Sequence, residues 1–142
     1  MTGAFVAALV LLTATVFGLV RRRRDGRLRA GKGSGLDGSR DRLSPAELGA
    51  ELGERATLVQ FSTAFCAPCR TTRRVLADVA AMVDGVAHVE IDAEAHLDLV
   101  RRLGIVRTPT VLVLDAAGNV VRRAAGAPRR ADVIAALGAA IG

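Results

Sequence analysis

Cys66-Ala67-Pro68-Cys69 holds the only two thiols of this chain and stands directly after the apolar run Thr57-Leu58-Val59-Gln60-Phe61-Ser62-Thr63-Ala64-Phe65. A strand must therefore deliver two cysteines, two residues apart, into the start of a helix. Unpaired backbone N–H groups and the positive end of the macrodipole gather at a helix start, and both favour a thiolate. The spacing lets the pair close a small reversible disulfide, with Cys66 as the exposed nucleophile and Cys69 as its resolving partner. A structural disulfide is the weaker reading, because so short a loop removes little entropy from the unfolded chain. A zinc site is weaker too. It needs two further ligands, and His88 and His96, the only histidines, do not fit the compact H-x(3–5)-H step.

Charge is placed unevenly. The net +6 lies wholly in residues 1–42, where nine Arg/Lys face three Asp, whereas eleven basic and eleven acidic residues balance from Leu43 onward. The folded part therefore carries no basic signature for nucleic acid. Aromatic interleaving, the usual companion of single-strand binding, is also missing, since Phe61 and Phe65 are its only aromatics.

Gly3 to Val20 is uncharged and rich in Ala, Val, Leu and Phe, at the lower end of the length that spans a bilayer. A cleaved signal peptide fits poorly: no basic residue precedes the run and no small-x-small site closes it. The run stops instead at Arg21-Arg22-Arg23-Arg24, which reads as a retained single-pass anchor (residues 1–20) in the cell membrane, with residues 3–24 in contact with lipid. Positive charge after the span places the following domain in the cytoplasm by the positive-inside rule, with an extracytoplasmic domain as the alternative. Residues 21–42 read as a basic, flexible tether of Gly, Ser, Asp and Arg, with a weak edge strand near Leu36–Leu43.

From residue 43 onward the pattern is that of an α/β domain. Ser44, Pro45 and Glu47 form a capping box for a short helix. Thr57–Ser62, Val86–Asp92 and Thr110–Leu114 read as strands, and Asp115–Asn119 as a hairpin turn into Val120–Ala124. Helices follow Cys66 (Val75, Leu76, Val79, Ala80 and Val83 inward), span Ala95–Leu103 (Leu97, Val100 and Leu103 inward, Gly104 at the end) and span Arg130–Ile141 (Val133, Ile134, Leu137 and Ile141 inward). That order predicts a mixed sheet covered by helices on both faces. Arg70, Arg73 and Arg74 read as a solvated helix face, and His96 as a surface residue.

Residues 43–142 resemble the thioredoxin family. The resemblance rests on Phe61 to Arg70 around the cysteines, Ile91-Asp92, Gly104-Ile105-Val106-Arg107-Thr108-Pro109-Thr110, Gly118 and Gly126. It implies a thioredoxin-like fold, a central mixed sheet flanked by helices, here preceded by one transmembrane helix. It also implies thiol–disulfide exchange on protein disulfide clients, with an upstream thiol reductant such as a thioredoxin reductase and no cofactor. Pro109 matches the family's cis-proline, which turns the backbone of Thr108 toward the cysteines to pair with an extended substrate. The chain departs from the family pattern at four places. Phe65 stands where tryptophan is usual, and Ala67 replaces glycine. Gln60 occupies the place of a buried aspartate, and His88 that of its lysine partner. Glutamine takes up no proton at pH 7, so Gln60 and His88 are expected to form a neutral polar pair, with His88 or water receiving the proton of Cys69. The retained Pro68 resembles the reducing members, which makes a protein-disulfide reductase the expected activity. A disulfide oxidase or isomerase on the same fold, and a redox-inactive adaptor or metal-binding module, are the alternatives.

Overall fold

Seven consecutive buried residues, Ala56–Ser62, form the strand around which the domain is built. The computed structural model describes residues 1–24, 26–30 and 41–142. In chain order the elements are α1 (Thr2–Arg24), β1 (Arg29–Ala30), α2 (Pro45–Leu48), β2 (Ala56–Ser62), α3 (Ala67–Met82), β3 (Val86–Asp92), α4 (Leu97–Arg102), β4 (Thr110–Asp115), β5 (Val120–Ala125) and α5 (Arg130–Ile141). The sheet runs β1-β5-β4-β2-β3, with β2 and β3 parallel and the other pairs antiparallel. This is the mixed sheet expected from the pattern.

Strand alternation divides the core into two layers. Val59 and Phe61 pack with Leu43, Leu48, Leu99, Leu103 and Leu112 on the α2/α4 side. Ala56 and Leu58 pack with Leu76, Val79, Val111, Val133 and Leu137 under α3 and α5. Gln60 and Ser62 share the second face, so the strand period alone carries both under the start of α3. The capping box forms: Glu47 N–H donates to Ser44 Oγ, and Ser44 N–H to Glu47 Oε2 at 2.9 Å. Arg102 binds the same carboxylate, ties α4 to α2 and holds Glu47 below the usual carboxylate range. The β4–β5 turn needs Gly118 at φ 89°, where a Cβ would lie 2.3 Å from the Leu43 carbonyl oxygen.

Three expectations are corrected. Leu97 is 54% exposed, because this six-residue helix turns Leu99, Val100 and Leu103 inward and Leu97 lies on the opposite side. Ile134 is 43% exposed, since α5 packs through the narrow stripe Val133, Ala136 and Leu137. The described part of the tether, residues 21–24, 26–30, 41 and 42, is also more structured than its composition suggests. The first helix continues through Arg24, Gly26 N–H donates to the Ala125 carbonyl at 2.9 Å, and β1 pairs with Arg122 and Arg123 of β5. Most of the edge strand expected near Leu36–Leu43 lies outside the described residues, and Arg42 makes an isolated bridge with Asn119. The 23 residues of α1 have a mean hydropathy of 2.4 over their most apolar window and none is buried. At 1.5 Å per residue the helix is about 34 Å long, enough to cross the hydrocarbon core.

Candidate active site

β2 ends at Ser62 and three residues later the chain enters α3 with Cys66 at its N-cap. Cys66 N–H donates to the Thr63 carbonyl and Cys69 N–H to the Cys66 carbonyl, each at 3.3 Å, which folds the link into a tight corner. Cys66 and Cys69 are joined by a disulfide of 2.08 Å, with Cα atoms 5.3 Å apart. Their environments differ sharply. Cys66 is partly accessible, whereas Cys69 is 2% exposed and packed toward the sheet. An attacking thiol must be reached by another molecule, and of the two residues Cys66 is the accessible one. The sixteen-residue helix behind it directs its positive end at that sulfur.

Thr108-Pro109 is a cis bond, as the resemblance implied. The Thr108 hydroxyl lies 3.3 Å from that of Thr63, and the Pro109 carbonyl accepts from Gly126 N–H at 2.7 Å. The Thr108 loop therefore stands against the turn that carries Cys66. Phe65, 97% exposed, and Val106, nearly as bare, leave apolar side chains in the two loops.

Beneath the cysteines, Gln60 is fully buried and its Nε2 donates to the Cys69 carbonyl and to Ser62 Oγ, both at 2.9 Å. The expected Gln60–His88 pair is not formed. Parallel register sets His88 beside Leu58 and Glu90 beside Gln60, so the glutamine turns up to the first turn of α3 instead of sideways. Burial pushes His88 below the usual imidazole range, with Glu90 opposing the shift and Arg73 adding to it. Gln60 Oε1, Thr72 Oγ1 and His88 Nε2 are buried without a hydrogen-bond partner. A groove of about 460 Å³ opens along this flank and is lined by Ser62, Cys66, Cys69, Arg73, Glu90 and Asp92, among others.

Two features were not anticipated from the chain. Arg73 stays on the solvated face, as expected, but makes a bidentate pair with Glu90, Nε–Oε2 2.5 Å and Nη2–Oε1 2.7 Å, which bridges α3 and β3. Nothing local signals a contact between residues so far apart in the chain. Ser62 is the partner of Gln60, and the strand period, which puts residues two apart on one face, was the available signal. Arg70 and Arg74 are exposed as expected, and His96 is a surface residue whose ring nitrogen lies 2.9 Å from the Asp92 carbonyl oxygen.

The thioredoxin family model matches residues 43–139, more than half of the chain and all of the site. The chain belongs to the thioredoxin family. Human thioredoxin domain-containing protein 2 is 37% identical over 60 residues, a stretch covering 42% of this chain and only 11% of that protein. Chloroplastic thioredoxin z superposes with a TM-score of 0.55 at 30% identity, covering 61% of this chain and 78% of its own. A mutant thioredoxin from Halobacterium salinarum superposes at 0.57 with 19% identity, covering 63% and 77% of the two chains. Spinach chloroplast thioredoxin f gives 0.56 at 24%, covering 63% and 80%. The thioredoxin fold with its Cys66–Cys69 pair is the arrangement of a thiol–disulfide oxidoreductase.

Proposed function

We propose that the chain is a membrane-tethered protein-disulfide reductase. The observation that carries the reading is the pairing of an accessible Cys66 with a buried Cys69 at the start of α3. In the reduced protein the Cys66 thiolate attacks one sulfur of a client disulfide, forming the mixed disulfide and expelling the client's other sulfur as a thiolate. Cys69 then gives up its proton and attacks Cys66 Sγ. That step closes the Cys66–Cys69 bond and releases the second client thiolate. Two electrons have passed to the client, and an upstream dithiol reductant, such as a thioredoxin reductase, restores the pair. Pro68 between the cysteines supports the reducing direction over the oxidase or isomerase alternative.

Gln60 acts as a positioning residue: it fixes the Cys69 carbonyl and so the first turn of α3. The proton of Cys69 leaves to water in the groove beside Ser62 and Asp92. Thr108 offers its backbone to an extended client and Pro109 sets the bend. Helix α1 serves as the anchor, residues 1–20 in the bilayer and the basic segment 21–42 leading to the catalytic domain, 43–142. The arginines that end α1 support a cytoplasmic domain by the positive-inside rule.

Dithiothreitol-driven reduction of insulin by the full chain in detergent tests the chemistry. C66S abolishes turnover, and C69S accumulates a covalent client adduct at Cys66. Turnover that survives in C66S overturns the assignment. A reporter fused after Gly142, active on one side of the membrane only, tests the topology.

A further inference from the structure

A cavity of about 450 Å³ is lined by Arg27, Leu28, Arg122, Arg129, Asp132 and Ala136, among others. Its three guanidinium groups come from three separate segments: the stretch after α1, strand β5 and the residue just before α5. Like charges brought to one hollow repel, and a protein normally intersperses carboxylates among them. Here no ion pair joins Arg27, Arg122 or Arg129 to any carboxylate among the described residues. Asp132 is the only acidic group lining the cavity, and it leaves a net charge of +2. Arg122 donates to the Val121 carbonyl at 3.0 Å, which steadies its side chain and leaves its other N–H groups to a ligand. The N-terminal end of the twelve-residue α5 adds partial positive charge at the same place.

We propose that this cavity binds a phosphoryl anion, and specifically the headgroup phosphate of an acidic phospholipid. Guanidinium forks match phosphate oxygens two at a time, so three of them around one hollow suit a tetrahedral oxyanion. The lipid source follows from the chain path and rests on the anchor reading of α1. Arg27 follows Arg24, the last residue of α1, by three residues, at most about 11 Å of chain. Gly26 and β1 then hold that segment to β5. A helix that leaves the bilayer at Arg24 thus puts the cavity at headgroup depth. Leu28 and Ala136 supply an apolar wall for the ester end of the lipid. Occupancy would dock the domain against the membrane in one orientation.

The test titrates full-chain protein in non-ionic micelles with dihexanoyl-phosphatidylglycerol and reads amide hydrogen exchange at residues 26–30 and 129–133. Saturable protection is expected, with R27Q, R122Q and R129Q each weakening it about fivefold. The same loss of charge in R74Q, on an exposed face of α3, leaves it unchanged. Binding of inorganic phosphate as tight as that of the lipid, with the same arginine dependence, overturns the lipid source. Protection by neither ligand, or protection indifferent to the three arginines, overturns the site. Neither result touches the anchor reading, which stands or falls on whether alkaline carbonate extracts the protein from membranes.

Discussion

Gln60→Asp places a carboxyl where Gln60 is fully buried, with no positive group among the described residues free to meet it. Arg73 is committed to Glu90, and His88 is driven toward its neutral form by burial. The two donors of the glutamine amide are lost as well, leaving the Ser62 hydroxyl as the nearest hydrogen-bond source. Desolvation of this kind raises a carboxyl pKa by about 3 units or more, and each unit is ~1.4 kcal/mol. A folded value raised above the unfolded one means that the folded state holds the proton longer. Stability is therefore greatest below the unfolded pKa of ~3.9 and falls until pH passes the folded value near ~7. The full loss is about 4 kcal/mol, of which about 2.6 kcal/mol appears above pH 5. At a urea m-value of about 2 kcal/mol/M that is a midpoint gap between wild type and Q60D about 1.3 M wider at pH 8 than at pH 5. The chain has no Trp or Tyr, so circular dichroism rather than intrinsic fluorescence follows the unfolding. Subtracting the wild-type curve removes the titration of His88, which has the opposite sign. A gap that stays constant between pH 5 and pH 8 would show that the space under Cys69 is wet or counter-charged, and the reasoning fails. The same variant, assayed above pH 7, puts a proton acceptor beneath Cys69 and should speed resolution of the mixed disulfide.

Further outcomes follow from other sites. His88 has a folded pKa below its unfolded value of 6.5, so wild-type stability declines as pH falls through 6.5; H88Q should flatten that acid limb in urea melts between pH 5 and pH 7. Phe61 is the only aromatic side chain in the core and is fully buried, so F61A should cost about 3–5 kcal/mol by denaturant midpoint. Phe65, almost wholly exposed, should behave in the reverse way: F65A shifts stability by less than about 0.5 kcal/mol yet slows insulin reduction. Removing the Arg73–Glu90 pair with E90Q should lower the denaturant midpoint only slightly, since both partners are partly exposed, with the loss shrinking in high salt.

Local signals carried most of the architecture. The strand period placed β2, β3 and β4, the Ser44–Glu47 box marked α2, Gly118 marked the hairpin, and the Cys66–Cys69 spacing at a strand-to-helix seam marked the site. Each of these depends on residues a few positions apart, so a linear reading reaches it. Helix faces were read less well where the buried stripe is narrow, and Leu97 and Ile134 turned outward because a stripe three residues wide has no room for a fourth. What superposition of distant segments decides was out of reach. The partner of Gln60 depends on how α3 lies over β2, and the hold of Glu90 on Arg73 on how α3 lies over β3. The gathering of Arg27, Arg122 and Arg129 depends on β1 reaching across to β5. A side chain's type states what it can bond; only the packing of one element on another brings a partner within three ångströms of it.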